Sequence, residues 1–385
     1  MRRRRGRARL ASAGHRWCRR RRRSTPGSPG GSRHERVAAG LVVIPMRNEA
    51  DSIGSLLDSV LAQDYPADRL EVPVVDGDSS DASPGWCSAT RGAMRACACR
   101  QSAPHRAVRA QRCHPAARGD VICRIDGHTR VATDYVRIGV ETLRRTGADN
   151  VGGRMDAIGG GWFGNAVADA TASRFGVGSY FHFGAEEREV DTVYLGMWPR
   201  QVFERIGLFD EELVRNQDDE LNYRLRKAGG RVVLNPAMRS WYQNRQDVAH
   251  LVSQYYQYGQ WKVRVLQKHP RQMSWRHFVP PTFVAGMMAL SAASGVWPAA
   301  GGPLRLVTAA YLAGVLGAAV QASWRRGPAG VLATALALVC LHVSWGSGFL
   351  HGLVMFAGRW RGPEPSPPRL EHRGGDAAWS TAGQG

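Results

Sequence analysis

Between Pro280 and Ala357 the sequence has no Asp, no Glu and no Lys; the only charged side chains there are Arg305, Arg325 and Arg326. Buried helices of a soluble domain with that composition would need a large partner surface, which the rest of the chain does not supply. Acid is also missing from residues 82–119, which carry seven Arg. Cysteine is sparse and irregular, with seven residues at positions 18, 87, 97, 99, 113, 123 and 340. An odd number without repeated spacing excludes a disulfide framework and suits a reduced compartment. Cys87, Cys97, Cys99, Cys113 and His114 lie near one another but lack the paired C-x2-C spacing of common structural zinc sites. The Arg-rich start lacks the apolar stretch of a secretory signal.

The formal charge is +20, yet it is local. Residues 1–40 hold fourteen Arg and one acid (Glu35); together with 82–119 they account for the whole excess, and the remainder is neutral. Interleaved aromatics and a recognised binding module are absent, so a nucleic-acid partner is not expected. Residues 1–40, rich in Arg, Gly, Ser and Pro, are expected to be disordered, as is the tail 359–385.

Three apolar runs, at about 278–300, 306–324 and 328–357, each reach the roughly 20 residues needed to cross a bilayer. Residues 278–358 therefore read as a membrane region of about three helices. Three crossings would place Arg359, Arg361, Arg369 and Arg373 opposite a cytoplasmic catalytic domain, against the positive-inside tendency, although Arg325 and Arg326 agree with it. A run lying in the interface is the alternative.

Residues 41–270 alternate strand and helix. Leu41-Val-Val-Ile-Pro45 is a buried-strand run, and Ile53, Leu56, Leu57, Val60 and Leu61 fall on one face of an amphipathic helix. Glu71 to Val75 is a second strand, ending in Asp76-Gly77-Asp78; Val121 to Ile125 is another, ending in Asp126-Gly127-His128. This order predicts an α/β fold with an open, mainly parallel sheet and ligand at its carboxyl edge. Residues 82–117 should supply a helix and a strand but show neither period. A compensated reading-frame error and a divergent loop are the two readings.

Asp76 and Asp78 sit in a Gly/Ser turn that can present a carboxylate to a base N–H or a ribose hydroxyl, or simply cap the turn. Alternation puts Asp126 and His128 on one side of the chain, where they can share Mn²⁺ or Mg²⁺ with diphosphate oxygens and water. An Asp-Gly turn with a surface His is the competing reading. Asn216-Gln-Asp218-Asp219-Glu220 opens a helix, where acids compensate the dipole or one of them serves as a general base. Trp241, Tyr242, Tyr255, Tyr256, Tyr258 and Trp261 suit either sugar stacking or packing near lipid headgroups. His182, His250 and His269 have no partner visible in the sequence.

Taken in order, LVVIPMRNEADSIGSLLDSVLAQDYP, VVDGDSSD, RGDVICRIDGHT, YLGMWPRQVFERIGLFDEE and RNQDDELNYRLRKAGG resemble family 2 glycosyltransferases of the GT-A fold, across about 41–81 and 117–270. The likeness is greatest to the membrane-attached, succinoglycan-type branch of exopolysaccharide synthesis. It implies a Rossmann-like GT-A catalytic domain followed by C-terminal transmembrane helices. Pro45, Arg47 and Glu49 would line the nucleotide pocket, Glu49 near the ribose, and Asp76 would contact uracil or ribose with Asp78 beside it. Asp126 and His128 would stand at the metal-binding Asp-x-Asp position, and Asp218 would be the general base. Asp219, Gln257, Gln260 and Trp261 would lie on the acceptor side. Gln257-Tyr-Gly-Gln260-Trp261 is similar to the Gln-x-x-Arg-Trp of processive synthases, with Gln260 in place of Arg, which favours transfer of a single sugar. The implied activity is inverting, metal-dependent transfer from a nucleotide sugar, UDP-linked in expectation. The acceptor would be a lipid-linked or growing saccharide, and the enzyme would be multi-pass in the cell inner membrane with its catalytic domain cytoplasmic. A catalytically inactive membrane scaffold is the alternative.

Overall fold

The computed structural model describes residues 38–90, 98–100, 119–177 and 179–360. The expectations for the Arg-rich start before residue 38 and for the tail after Trp360 fall outside these residues, as does most of 82–117.

The strand Gly40–Met46 (β1) is buried along its whole length. Alternation divides its side chains between two cores. Val42, Ile44 and Met46 join one cluster, and Leu41 and Val43 join the other with Trp198 and Phe203. The helix Ile53–Leu61 (α1) buries Ile53, Leu56, Leu57 and Val60 against the first core, as the spacing predicts. Each such burial contributes roughly 1.5–3 kcal/mol. Leu61, the fifth residue of the expected face, ends the helix 40% exposed.

The remaining strands are Leu70–Glu71 (β2), Val74–Asp76 (β3), Ala98–Arg100 (β4), Val121–Arg124 (β5), Thr129–Val131 (β6), Asn150–Ile158 (β7), Arg188–Glu189 (β8), Tyr194–Pro199 (β9) and Val232–Gln243 (β10). Their order is β4-β3-β1-β5-β9-β7-β10-β6, with β2 beside β1 and β8 beside β10. The first four strands are mutually parallel. β9 runs antiparallel to both β5 and β7, so the sheet, parallel in most of its pairings as expected, is mixed. The helices Ser83–Thr90 (α2), Tyr135–Thr146 (α3) and Gly161–Ala172 (α4) explain the change. A parallel return needs a crossover laid on the sheet. α3 packs on the first core in that way, whereas α4 packs Phe163, Val167 and Ala170 against the C-terminal helices. The chain therefore re-enters the sheet at β9 reversed. α2 and β4 lie within 82–117, where the sequence shows no period, and β4 pairs in parallel with β3.

The second core is closed by Arg200–Ile206 (α5) and Gln217–Lys227 (α6), through Val202, Phe203, Ile206, Leu221 and Leu225. Val248–Lys268 (α7) then leads to three apolar helices, Val279–Val296 (α8), Gly301–Ser323 (α9) and Gly327–Met355 (α10). Two helical segments, Trp275–Val296 and Pro298–Met355, are long and apolar enough to cross a membrane.

Candidate active site

The loops that leave β1 and β3 are bonded to each other at the carboxyl edge of the sheet. Asn48, at φ 53°, donates from its backbone N–H to Ser79 Oγ (2.9 Å), and its Oδ1 accepts from the Ser80 backbone N–H (2.9 Å). The Glu49 N–H donates to Ser83 Oγ (2.8 Å) and the Ala50 N–H to Asp81 Oδ2 (3.0 Å). Asp76 is buried and accepts from Ser79 Oγ at 2.6 Å, which fixes its own turn. Asp78 is exposed with φ 64°. Pro45 is a buried member of β1 in register with Val75, and Arg47 is exposed at the strand's end.

β5 stops at Arg124, two residues before Asp126. The Thr129 N–H donates to Asp126 O at 3.0 Å, so Asp126-Gly127-His128 forms a turn, and strand alternation does not set the two side chains. Packing sets them instead. A Cβ on Gly127 would lie 3.0 Å from Glu49 Cγ, so glycine lets the β1 loop approach. His128 Nδ1 then lies 3.0 Å from Glu49 Oε1, while its ring meets Tyr242 edge-on at 5.0 Å. Glu49, expected near a ribose, orients the imidazole. Asp126 is buried beside Arg124, whose guanidinium also stacks over Phe209 at 5.3 Å.

Asp218 opens α6, within electrostatic reach of Arg124 and Asp126. Burial raises its carboxyl above the ordinary range; Arg124 pulls it back, and Asp219 and Asp126 push it further up. Its two neighbours are committed to cations. Asp219 pairs with buried Lys262 of α7. Glu220 sits between Arg224 Nε (2.9 Å) and His269 Nε2 (3.0 Å). Burial would raise Glu220, but the hydrogen bonds from His269 and Arg224 outweigh it and hold the carboxyl low. Asp126 thus rests on Arg124 with Asp218 within electrostatic reach of both, and the Glu49–His128 pair stands in the turn that follows Asp126.

The residues expected on the acceptor side divide. Gln257 accepts from Arg215 Nε at 3.1 Å, and Gln254 links the hydroxyls of Tyr242 (3.2 Å) and Tyr258 (3.0 Å). Gln260 and Trp261 are directed to the C-terminal helix instead: Gln260 Nε2 lies 3.3 Å from His351 Nδ1, and Trp261 packs on Phe356 at 5.3 Å. Gln260 is two residues from Lys262, roughly 200° around the helix, so the two cannot face the same side. The sequence reading singled out Tyr242 among the aromatics but missed Arg124 and Lys262. The signal for Arg124 was an arginine inside an otherwise apolar strand.

Among the described residues no group of three or more His, Cys, Asp or Glu is arranged to hold a metal ion. Asp126 and His128 offer two donors, with one carboxylate oxygen turned to Arg124 and one ring nitrogen to Glu49. That set fits Mg²⁺ or Mn²⁺ shared with diphosphate oxygens and water, and does not fit a closed protein cage.

Residues 41–207 match the family model described as Glycosyl transferase family 2. The chain is similar to the succinoglycan biosynthesis protein ExoA of Rhizobium meliloti (strain 1021), 29% identical over 339 residues, covering 83% of this chain and 96% of that one. It is 24% identical over 243 residues to a dolichyl N-acetyl-alpha-D-glucosaminyl phosphate 3-beta-D-2,3-diacetamido-2,3-dideoxy-beta-D-glucuronosyltransferase of Methanococcus voltae, covering 61% of this chain and 76% of the relative. Among solved structures, the mannosyltransferase PcManGT from Pyrobaculum calidifontis, in complex with GDP-Man and Mn²⁺, superposes with a TM-score of 0.51 at 20% identity, over 79% of this chain and 87% of that one. Residues 41–207 thus match family 2 glycosyltransferases, and the sheet with carboxylates at its strand ends has the GT-A fold.

Proposed function

We propose that the protein transfers one sugar from a nucleoside-diphosphate donor to a hydroxyl of a lipid-linked or growing saccharide, with inversion at the anomeric carbon, in the synthesis of an exopolysaccharide or cell-envelope glycan. A uridine donor follows from the sequence resemblance. ExoA is named for succinoglycan synthesis, which supports the glycan setting. The observation that carries the reading is Asp218, a carboxyl raised by burial beside the Arg124–Asp126 pair. A base works best when its pKa lies near the working pH while it remains ionised.

Asp218 takes the proton from the acceptor hydroxyl as that oxygen attacks the anomeric carbon. The bond from that carbon to the diphosphate oxygen breaks in the same displacement, and the configuration inverts. Asp126 and His128 would hold Mg²⁺ or Mn²⁺, which neutralises charge on the departing diphosphate. Arg124 holds Asp126 and opposes the upward shift of the Asp218 carboxyl. Asp76, Asp78, Arg47 and Pro45 border the pocket for the nucleoside, and Gln257 and Asp219 lie toward the acceptor. The protein is attached by its apolar helices to the cell inner membrane as a multi-pass protein, with the catalytic domain on the cytoplasmic face.

The test is transfer or slow hydrolysis from a panel of UDP- and GDP-sugars on membranes carrying the chain, with and without Mn²⁺. Turnover of one donor that depends on the metal and is lost in Asp218→Asn supports the enzyme. Silence across the panel from a folded, membrane-bound chain would contradict it and favour a scaffold.

A further inference from the structure

We propose that the bilayer receives only the helical hairpin α8–α9, and that α10 lies along the catalytic domain on the side from which the hairpin departs. The proposal rests on the membrane attachment given above and defines its topology.

Both ends of α10 are tied to the catalytic domain. Before its first turn, Arg326 pairs with Asp169 of α4 through Nε (2.5 Å) and Nη2 (3.2 Å). Past its last turn, the Phe356 carbonyl accepts from Gln267 Nε2 at 2.7 Å, and the Arg359 carbonyl accepts from Arg264 Nη1 at 3.1 Å. The Arg359 side chain reaches Glu212 at 3.3 Å. Asp169 and Glu212 belong to one folded domain, so both ends lie on one side of any membrane. A helix of 29 residues is about 43 Å long, and with both ends held there it does not cross.

Between its ends α10 follows α7 in the same direction at backbone contact. A Cβ on Gly348 would lie 2.0 Å from the Tyr256 carbonyl, and one on Gly352 would lie 2.6 Å from the Gln260 carbonyl. A Cβ on Gly259 of α7 would lie 2.0 Å from the Trp345 carbonyl. α7 itself carries Lys262, Arg264 and Lys268, paired with Asp219, Glu212 and Asp210. Charges in that number are too costly for hydrocarbon and keep α7, and the C-terminal half of α10 packed on it, out of the bilayer core.

The hairpin has the opposite character. Phe283 stacks on Tyr311 at 4.3 Å and Met287 meets Thr308, so α8 and α9 run antiparallel. Its outward side chains are apolar, with Met288 65%, Leu306 72% and Val296 90% exposed. Arg305 is its one charged residue. The helices have 18 and 23 residues, about 27 and 35 Å, which matches a hydrocarbon core of about 30 Å. Trp275 and Arg276 precede α8, and Trp324, Arg325 and Arg326 follow α9, as aromatic and cationic residues do at a membrane interface. Two crossings also keep Arg325, Arg326 and Arg359 on the catalytic side and remove the conflict with the positive-inside tendency that three crossings create.

The test uses the full chain in membrane vesicles of both orientations, with a protease-cleavable epitope tag inserted at Glu186, between Ala299 and Ala300, or after Gly385. The expected result is cleavage of the Glu186 and C-terminal tags from the same face, and of the Ala299 tag from the other face only. Cleavage of the C-terminal tag from the face opposite Glu186 would mean three crossings and overturn the proposal. So would cleavage of the Ala299 tag from the Glu186 face. Retention through an alkaline carbonate wash is checked first. Release of the chain there would remove membrane attachment itself and the hairpin with it, while the transferase reading would stand or fall on turnover alone.

Discussion

Arg124 holds Asp126 through two nitrogens on one carboxylate oxygen, with Nε at 3.1 Å and Nη2 at 3.0 Å from Oδ1. The same guanidinium is the cation that opposes the upward shift of Asp218. One buried side chain therefore serves a carboxylate at the end of β5 and another at the start of α6.

Replacing Arg124 by Leu is expected to raise the Asp218 carboxyl further, since the opposing cation is gone and burial remains. The acid limb of the pH–rate profile should move to higher pH, with turnover at neutral pH reduced by about tenfold or more. Lys at this position should restore part of the shift but not the two-nitrogen contact. An unmoved acid limb in Arg124→Leu would separate Arg124 from Asp218.

Asp218 should also cost stability. A carboxyl raised on folding binds protons more tightly in the native state, so stability falls as pH rises from the unfolded pKa through the folded one. Asp218→Asn removes that slope. The variant should be at least as resistant to thermal unfolding at neutral pH as the parent while being inactive. A lower melting temperature for the variant at neutral pH would contradict the direction of the shift.

Glu49→Gln separates two roles for one residue. If Glu49 orients His128 toward a metal ion, the Mn²⁺ concentration for half-maximal activity should rise about 10- to 100-fold while the donor KM changes little. If Glu49 instead contacts the ribose, the donor KM rises and the Mn²⁺ dependence stays as it was. The 3.0 Å Glu49–His128 contact predicts the first result.

Glu212 lies under Arg264, Lys268 and Arg359, and the hydrogen bond from Arg264 leads the effects that lower it from 4.5 to about 2. Its contribution to stability should be complete above the ordinary carboxylate pKa and be lost as pH falls toward about 2. Glu212→Gln should flatten the unfolding midpoint across that window. It is also expected to loosen the C-terminal end of α10, read as faster proteolysis after Phe356.

Close packing of α7 on α10 gives a paired test. Gly348→Ala should destabilise by about 1–3 kcal/mol, because its Cβ meets a backbone carbonyl that cannot move aside. Gly317→Ala on α9, with nothing within 4 Å of the added carbon, should be neutral or stabilising. Unfolding in detergent compares the two.

Much of this was legible because it is periodic. The buried run of β1, the face of α1 and the three apolar stretches follow from spacing alone. The reversed entry of β9 was not legible, because it depends on α4 leaving the sheet for Val315 and Leu338, contacts far away in sequence. The position of Gln260 was hidden for a similar reason. Its motif resembles an acceptor-side signature, but the phase of α7 against α10 decides which way it points. Asp126 and Asp218 were singled out by acid at element ends together with the family resemblance, whereas Arg124, which contacts Asp126 and acts electrostatically on Asp218, looked like one polar residue in a strand.

The most direct test is steady-state sugar transfer by the parent and by Asp218→Asn, both membrane-bound, with donor affinity measured separately for each. The account predicts a fall in kcat of about 10²- to 10⁴-fold with donor affinity unchanged, since Asp218 acts on the acceptor's proton. An unchanged kcat, or a loss explained wholly by weaker donor binding, would contradict it.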